Sequence, residues 1–445
     1  MFQNPFDDTN KYDCPTFVFM KWMLSLIVLL FSLPALAQND SFYLLKPMQV
    51  FDGEQLHKDW VVLVRGNKIE AAGSMNFKLP ANTRVIDLPG MTLLPGLIEG
   101  HAHLFLHPYN ETSWNDQVLN ESRAERTARA TYHARATLLS GFTTVRDLGT
   151  EGALYDDIGL KSAIEKGAIW GPRMIVATRA IVAKGSYGPK SQNPDIELHQ
   201  GAEAVSGPEE LSRALRTQMG NGADVIKIYA DYRWGLNGEA KPAFTEAEWQ
   251  LIQQHAQMGG RKVVAHASTA PGMQMAAMAG VSTIEHGDGG TDEVFRLMKQ
   301  KNVALCPTLA ATDAILQYNG WKKGIDPEPA RITAKKKSFQ AALKQGVTIV
   351  FGGDVGVFTH GDNARELELM VNYGMKPVDA LRSATSVNAD VFGYEDKIGR
   401  IKKGLLADMI AVKGNPLENI SNIRNVTFVM KDGIIYRGPE LDKKP

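Results

Sequence analysis

The chain has 445 residues, of which 44% are hydrophobic and 22% are charged, as is usual for a globular protein. This length is too great for one small core and favours a large domain with a smaller one. Lysine plus arginine and aspartate plus glutamate number 49 each, so the formal net charge is zero. The balance offers no electrostatic reason to expect nucleic acid or an anionic membrane surface as a partner.

The first 37 residues have the pattern of a leader followed by an export signal. Met20-Lys21 precedes an apolar run over residues 22–33, and Ala35-Leu36-Ala37 follows it. A basic start, a short apolar segment and small residues at the cleavage site are typical of secretory signals. The run is shorter than the roughly 20 residues that span a bilayer, which disfavours the alternative of a membrane anchor. We therefore expect cleavage near Ala37 and a periplasmic or secreted protein without a stable membrane anchor.

Cleavage at that position would remove Cys14 and leave Cys306 as the single cysteine of the mature chain. No internal disulfide could then form, and a chain of this length can rely on its core for stability. Cys306 ends an apolar run, which favours a buried, unreactive thiol over a nucleophile.

The segment 38–92 contains short strands and no stretch with helical periodicity. Residues 60–65 and 69–73 flank the turn sequence Gly66-Asn67, which predicts a β-hairpin. A similar pattern returns over residues 396–445. Neither end is large enough to make a secure core by itself, so we expect both to pair as one small, discontinuous β-sandwich domain.

Between these ends, residues 93–395 alternate apolar runs with longer amphipathic stretches. Continuous apolar runs are typical of parallel strands that are buried on both faces. Eight strand–helix units in a segment of this size predict an α/β fold, namely a (β/α)8 TIM barrel. An open doubly wound sheet is the alternative, but the chain offers no glycine-rich phosphate-binding turn for it. The predicted strands cover residues 93–103, 143–147, 174–177, 224–229, 262–266, 282–286, 303–306 and 348–354. The predicted helices cover residues 122–139, 160–166, 208–219, 246–258, 272–279, 292–299 and 331–344.

The first of these strands ends in the pair His101 and His103. Residues two apart in a strand point to the same face, so both imidazoles should converge on one point. Two convergent neutral imidazoles form half of a transition-metal site. The carboxyl ends of barrel strands meet at one mouth, where charged groups in apolar strands must be paired or bound to metal. Further candidate ligands stand at the ends of later strands, at Lys227, His266, His286 and Asp354.

The motifs at these positions are Pro95-Gly96-Leu97-Ile98-Glu99-Gly100-His101-Ala102-His103, Val225-Ile226-Lys227-Ile228-Tyr229, Ala265-His266-Ala267, Ile284-Glu285-His286-Gly287 and Gly352-Gly353-Asp354, with Gly399-Arg400-Ile401, Gly404 and Ala407-Asp408 in the tail. In this order they resemble the metal-dependent amidohydrolase superfamily, and within it the imidazolonepropionase-like and Xaa-Pro dipeptidase-like enzymes. The resemblance covers essentially the whole mature chain. Glu99 departs from the aspartate that many members carry, and we expect little consequence because this residue is not usually a ligand.

The resemblance implies two divalent cations, expected to be Zn²⁺. Lys227 would carry carbon dioxide as a carbamate and bridge both ions. A lysine in an apolar strand beside cations is pushed towards its neutral amine, which is the form that adds carbon dioxide. A mononuclear site with an ordinary lysine is the alternative. The remaining ligands would be His101, His103 and Asp354 for the more buried ion, and His266 and His286 for the outer one.

The function that this resemblance implies is amide hydrolysis by a metal-activated hydroxide, with Asp354 as base and then acid. The expected substrate is a small molecule, either a dipeptide of the Xaa-Pro type or an N-acyl amino acid. Alternatives on the same site are an esterase, a lactonase or a phosphotriesterase. A barrel that binds metal or ligand without catalysis is a further alternative, and a homo-oligomer is left open.

Substrate contacts are less well defined by the sequence. His107 follows the first strand, Tyr229 shares a face with Lys227, and His360 lies in the last loop. Each could contact substrate, while an ordinary loop or packing role is the alternative. The long loop over residues 183–207 is rich in glycine, serine and proline and could form a lid. Arg146-Asp147 at the end of the second strand could pair with each other.

Overall fold

The computed structural model describes residues 41–193 and 195–439. The leader and signal predicted for residues 1–37 lie outside this part of the chain. From Phe42 onward the described residues form one compact unit. Within the described ranges, no helix combines the length and the apolar character that crossing a membrane requires.

Strands from both ends of the chain share one eight-stranded sheet. The predicted hairpin is confirmed, because Arg65 pairs with Lys68 across the turn Gly66-Asn67. The two ends meet where the fifth strand pairs antiparallel with the seventeenth, with Leu94 opposite Ile410. The sandwich arrangement of this sheet stays a prediction. In chain order its strands are β1 Phe42–Phe51, β2 Leu56–Lys58, β3 Val61–Arg65, β4 Lys68–Gly73, β5 Arg84–Pro95, β17 Met409–Lys413, β18 Val426–Lys431 and β19 Ile434–Arg437.

The central part of the chain forms two parallel sheets and a short antiparallel hairpin. The three-stranded sheet consists of β6 Leu97–Ala102, β7 Phe142–Asp147 and β8 Arg173–Val176. The six-stranded sheet consists of β9 Ile181–Ala183, β10 Glu203–Val205, β11 Val225–Tyr229, β14 Lys262–Ala267, β15 Thr283–His286 and β16 Ala304–Cys306. The hairpin consists of β12 Asp231–Arg233 and β13 Ala240–Pro242.

Helices follow most of the parallel strands, as the alternating pattern predicts. Several begin at a side chain that accepts a hydrogen bond from the first turn, as Ser122 does from the Glu125 amide. Thr245 and Glu248 form a reciprocal capping box. The helices are α1 Trp114–Leu119, α2 Arg123–Leu139, α3 Asp156–Glu165, α4 Gly207–Gly220, α5 Glu246–Met258, α6 Ala270–Ala279, α7 Asp292–Gln300, α8 Leu309–Tyr318, α9 Ala330–Gln345, α10 Ala364–Asn372, α11 Pro377–Ser383 and α12 Ser386–Phe392, with a 3-10 helix at Ile420–Arg424.

Residues 348–354 do not form the regular strand that the sequence predicts. Only isolated pairs form there, between Ile349 and Leu305 and between Val355 and Ala102. Asp354 has φ 63°, which ends an extended strand. Gly352 approaches β16 so closely that a Cβ atom would lie 2.5 Å from Cys306 Sγ. The segment nevertheless connects β16 to β6, since it hydrogen-bonds to both.

The same two sheets also meet at a second place. The amide of Asp224, just before β11, donates to the carbonyl of Val176 in β8 at 2.8 Å. The parallel strands carry continuous apolar side chains, and the cluster they form includes residues of α2 such as Ala134 and Leu138. Cys306 is a buried free thiol, as predicted. The core therefore holds the carboxyl ends of these strands in fixed relative positions.

Candidate metal centre

The pair His101 and His103 converges as the strand alternation predicts. His101 is in β6, His103 follows it directly, and their ring centroids are 5.3 Å apart. Their Nε2 atoms lie 3.6 and 3.3 Å from Oδ1 of Asp354. Asp354 reaches them because its amide donates to the His101 carbonyl at 2.8 Å, which ties its segment to β6.

The other two imidazoles come from neighbouring strands. His266 is in β14 and His286 ends β15, and their ring centroids are 4.5 Å apart. The His286 ring is 5.1 Å from the His101 ring, so the four imidazoles form one contiguous group. One ligand atom each of His101, His286 and Asp354 lies within 4.8 Å of the others. This spacing fits a shared cation.

His286 and Asp354 both adopt left-handed backbone conformations, with φ 76° and 63°. Such conformations cost of order 1–3 kcal/mol for a residue other than glycine and tend to cluster at functional sites. The surrounding fold maintains both of them beside the same imidazole. The backbone strain therefore occurs at two of the candidate ligands, in the conformation that orients them.

Lys227 lies in β11, opposite Val264 of β14, and is 1% exposed. Its Nζ has no hydrogen-bond partner among the described residues, and neither has Oδ1 of Asp354. Burial lowers the pKa of Lys227, so the neutral amine is favoured relative to a lysine in water. A buried amine and a buried carboxylate oxygen without partners are atoms that a bound cation or a carbamate would satisfy.

The imidazoles differ in protonation. Burial lowers the pKa of His101 to about 4, which leaves it neutral and able to bind metal at pH 7. Burial also opposes charge on His103, but Asp354 outweighs this effect and raises the pKa of His103 to about 9. Without metal, His103 therefore keeps a proton beside Asp354. A cation that binds here would displace this proton.

Hydrogen bonds at the far side of the rings orient the candidate ligands. Nδ1 of His103 lies 2.8 Å from the carbonyl of Gly149, and Nδ1 of His286 lies 2.8 Å from the hydroxyl of Thr308. A donated Nδ1–H leaves Nε2 as the basic nitrogen of each ring. His266 differs, because its Nε2 lies 3.9 Å from Oδ1 of Asp231.

Sequence reasoning missed the groups that hold His101. Nδ1 of His101 lies 2.9 Å from Oε2 of Glu285, and Arg146 donates to Oε1 of the same carboxylate at 3.0 Å. Burial opposes the charge on Glu285, but Arg146 outweighs it, and the pKa of Glu285 is lowered. The predicted pairing of Arg146 with Asp147 is wrong, because Asp147 instead accepts the amides of Leu104 and Gly149. The sequence did contain a signal for this pair, since Arg146 and Glu285 carry opposite charges within two otherwise apolar strands.

A cavity of about 630 Å³ opens beside the four imidazoles, and Tyr229 lines it. Its ring stacks on His266 at 4.5 Å. The predicted lid loop contributes Tyr187 to the wall, while closure of that loop stays a prediction. Pockets of this size, with a few polar groups converging in them, are typical ligand sites.

His107 and His360 are not brought to this cavity. The His107 ring lies between carboxylates of Glu111 and Glu121, at 3.2 and 2.8 Å. His360 lies 2.9 Å from the Leu106 carbonyl and stacks on His133 at 4.2 Å. Both rings are buried and engaged with these other groups, so the structure offers no observation that favours them as substrate contacts.

The sequence matches the amidohydrolase family over residues 92–435, which is most of the chain. The chain belongs to the amidohydrolase family. This amidohydrolase is 31% identical to the ochratoxinase of Aspergillus niger over 377 residues, which is 78% of this chain and 76% of that protein. It is therefore a hydrolase that acts on amide or peptide bonds, and enzymes of its family generally use divalent metal ions.

Two solved structures resemble the amidohydrolase closely. A Xaa-Pro dipeptidase with methionine bound in its active site is 34% identical, with a TM-score of 0.79. A prolidase in complex with N-methylphosphonate-L-proline is 27% identical, also with a TM-score of 0.79. In each case 89% of this chain and 100% of the other chain are covered. The resemblance predicted from the motifs is confirmed.

Proposed function

We propose that the chain is a binuclear, metal-dependent amidohydrolase that cleaves an Xaa-Pro dipeptide or an N-acyl amino acid. The observation that carries this proposal is a pair of buried atoms among four imidazoles, Lys227 Nζ and Asp354 Oδ1, which accept or donate no hydrogen bond within the described residues. The six proposed ligands are His101, His103, Lys227, His266, His286 and Asp354.

The donor set fits two Zn²⁺ ions with a carbamate on Lys227. Neutral imidazoles and carboxylates are common zinc ligands. A neutral Lys227 amine that added carbon dioxide and released a proton would become a carbamate anion, whose charge would offset that of the cations in a buried site. An uncarboxylated Lys227 would instead leave an ammonium close to the cations. We also propose that the eight strand segments close as a (β/α)8 barrel, since isolated bridges join the 349–355 segment to β16 and β6, and a hydrogen bond joins β8 to the start of β11.

When bound, the two ions would supply a nucleophile at neutral pH and polarise the scissile carbonyl. Asp354 would take the proton from the attacking water and deliver it to the leaving amine nitrogen. Its Oδ1 lies 3.3 Å from Nε2 of His103, and no hydrogen bond from another described residue holds it elsewhere. Tyr229, stacked on His266, would restrict the position of the substrate next to its scissile carbonyl.

The substrate class is supported by the solved relatives. The bound methionine in one and the N-methylphosphonate-L-proline in the other are an amino acid and an amino-acid derivative. The cavity of about 630 Å³ has room for a dipeptide. We propose in addition that the protein is exported and that its mature form begins at Gln38, which N-terminal sequencing of the secreted protein would test.

The decisive experiment is metal analysis of the purified mature chain together with hydrolysis assays. We expect about two zinc ions per chain, with turnover of Xaa-Pro dipeptides or N-acetyl amino acids. The screen includes ochratoxin, esters, lactones and phosphotriesters, which separates amide cleavage from the alternatives. A protein without bound metal, or one that cleaves only the non-amide compounds, would refute the proposal.

Asp354→Asn tests the assigned proton transfer. We expect this variant to retain much of its zinc and to lose at least 100-fold in kcat, because an amide cannot carry the proton. Lys227→Ala serves as the matched comparison, since it should lower the zinc content itself. Turnover of Asp354→Asn within a few-fold of the parent would contradict the role of Asp354.

A further inference from the structure

One end of the cavity contains a carboxylate that the proposed chemistry does not use. Glu151 lines the cavity and is 2% exposed, in the loop after β7. Its backbone is left-handed, with φ 48°, in a residue that is not glycine. The loop is tied to the metal centre, because Gly149, two residues earlier, accepts the hydrogen bond of His103. Two residues span at most about 7 Å, so Glu151 lies close to the centre.

Among the described residues, the side chains that donate to this carboxylate are all neutral. Trp114 Nε1 donates at 3.0 Å, the Tyr187 hydroxyl at 2.5 Å and the Tyr229 hydroxyl at 3.4 Å. Within the described ranges, no lysine, arginine or histidine nitrogen lies within 4 Å of Glu151, unlike the paired carboxylates Glu285 and Asp288. Arg126 is engaged with the carbonyls of Phe105 and Thr150. Glu151 therefore makes no ion pair within the described ranges, although Arg126 and His103 lie near enough to interact with its charge.

The walls around Glu151 are aromatic and suit a cation. Tyr187 contacts three rings, with centroids 5.1 Å from Trp114, 4.7 Å from Tyr229 and 4.8 Å from Tyr232. Aromatic faces attract ammonium groups, and more strongly where water is excluded. A phenol has one hydrogen to donate, so Tyr187 and Tyr229 can only accept further hydrogen bonds once they donate to Glu151. A substrate carboxylate would meet hydrogen-bond acceptors here and would be repelled, whereas a substrate ammonium could donate its protons to them.

We propose that Glu151, with Trp114, Tyr187 and Tyr229, binds the protonated α-amine of the substrate. This inference rests on the proposed amide hydrolysis and narrows its substrate to dipeptides with a free amino terminus, over N-acyl amino acids. The α-amine of a dipeptide is one carbon away from the scissile carbonyl. Glu151 lies in the loop whose Gly149 carbonyl binds His103, and this closeness to the centre agrees with that short separation.

The test compares L-Ala-L-Pro with N-acetyl-L-Ala-L-Pro, which share the scissile bond and differ in the charge of the amine. We expect the zinc-loaded enzyme to prefer the free dipeptide at least tenfold in kcat/KM. Glu151→Gln keeps the size of the side chain and removes its charge, so this preference should fall at least tenfold. Glu165→Gln removes a charge from the exposed end of α3 and should leave the preference unchanged.

Calorimetry gives a reading that does not depend on turnover. Zinc-loaded Asp354→Asn should bind the free dipeptide at least tenfold more tightly than its acetylated form, and adding Glu151→Gln should abolish that difference. If the parent enzyme cleaves neither compound while calorimetry shows the amine preference, the proposed hydrolysis fails and the amine site stands. Equal handling of both compounds by the parent enzyme would overturn the amine site. An equal loss for both compounds in Glu151→Gln would also overturn it, because Glu151 would then only position Tyr187 and Tyr229.

Discussion

At the scale of single residues, the centre depends on how each imidazole is oriented. Glu285 accepts from Nδ1 of His101, and Arg146 holds Glu285 from the other side. Arg146 also donates to the carbonyl of Gly100, next to His101, at 2.6 Å. Partners of this kind fix the tautomer of a ligand and raise its basicity. We therefore expect the charge of Glu285 to raise the affinity of the proposed centre for metal through His101.

Glu285→Gln tests this contribution. We expect zinc affinity to fall roughly 10–100-fold, because the neutral amide no longer strengthens the basicity of His101. Competition with a chelator of known affinity measures the change. Glu121→Gln is the matched control, since it alters a carboxylate–histidine pair with His107 away from the cavity. A zinc affinity within threefold of the parent in Glu285→Gln would show that Glu285 only fills space.

His133 makes stability depend on pH. Burial lowers its pKa to about 4, although the hydrogen bond to the Leu104 carbonyl opposes this shift. In the unfolded chain the imidazole gains a proton below about pH 6.5, while the folded protein resists it until about pH 4. The unfolded state thus binds the extra proton, so stability falls as the pH drops through this window and is unaffected above it.

We expect His133 to account for about 2 kcal/mol of stability lost between pH 7.5 and pH 4.5. His133→Phe keeps a ring to stack on His360 and cannot titrate. Urea unfolding at several pH values should therefore show a shallower loss for the variant. The same slope in both proteins would mean that other groups cause the acid sensitivity.

At the scale of elements, α8 forms part of the cavity wall and begins without a cap of its own. Thr308 precedes it with φ 47° and makes no side-chain cap hydrogen bond. Glu366 from α10 instead accepts the amides of Leu309 and Ala310, at 2.9 and 2.6 Å. A carboxyl group at a helix N-terminus provides acceptors for amides that have no partner within the helix. One helix thus secures the start of another.

Glu366→Ala should destabilise the protein by about 3 kcal/mol, because two buried amides lose their acceptor. Chemical denaturation measures this loss. Glu368→Ala lies on the same helix and removes a surface ion pair with Arg424, which should cost less than about 1 kcal/mol. Equal effects of the two substitutions would contradict the capping role of Glu366.

At the scale of the whole molecule, the sheet from the chain ends is attached to the parallel strands by a shared arginine. Arg173 of β8 donates to Asp408 at 3.1 Å and to Asp432 at 2.7 Å, both near the C-terminal strands. Asp408 is buried, and burial raises its pKa while Arg173 opposes this. The ion pair offsets the cost of a buried carboxylate between the two parts.

Arg173→Ala should lower stability by about 3 kcal/mol, because Asp408 stays buried without a cation. Since the described chain from Phe42 is one compact unit, we expect both parts to unfold in a single transition at a lower midpoint. Calorimetric scanning checks both points. Arg84→Ala removes an exposed arginine from β5 and should change the midpoint little. Two separate transitions in the parent protein would contradict the shared unit.

The sequence by itself determined the order of strands and helices and which residues carry the candidate metal chemistry. Strand alternation has a period of two, so His101 and His103 had to share a face. Ligands at strand ends could be located because a polar residue that ends an apolar run needs a partner. The terminal strands and the association of the two ends could be predicted, whereas the single sheet that contains strands from both ends could not.

Only the tertiary structure decided which groups from distant strands and loops meet. Glu285 reaches Arg146 between two different sheets, and Glu151 reaches Tyr187 from separate loops. No periodicity in the sequence sets the direction of a loop. The sequence therefore allowed His107 and His360 to be candidates for substrate contacts, whereas in the structure their rings bind other partners. Local patterns specify the faces of strands and helices, whereas contacts between loops depend on how the whole chain packs.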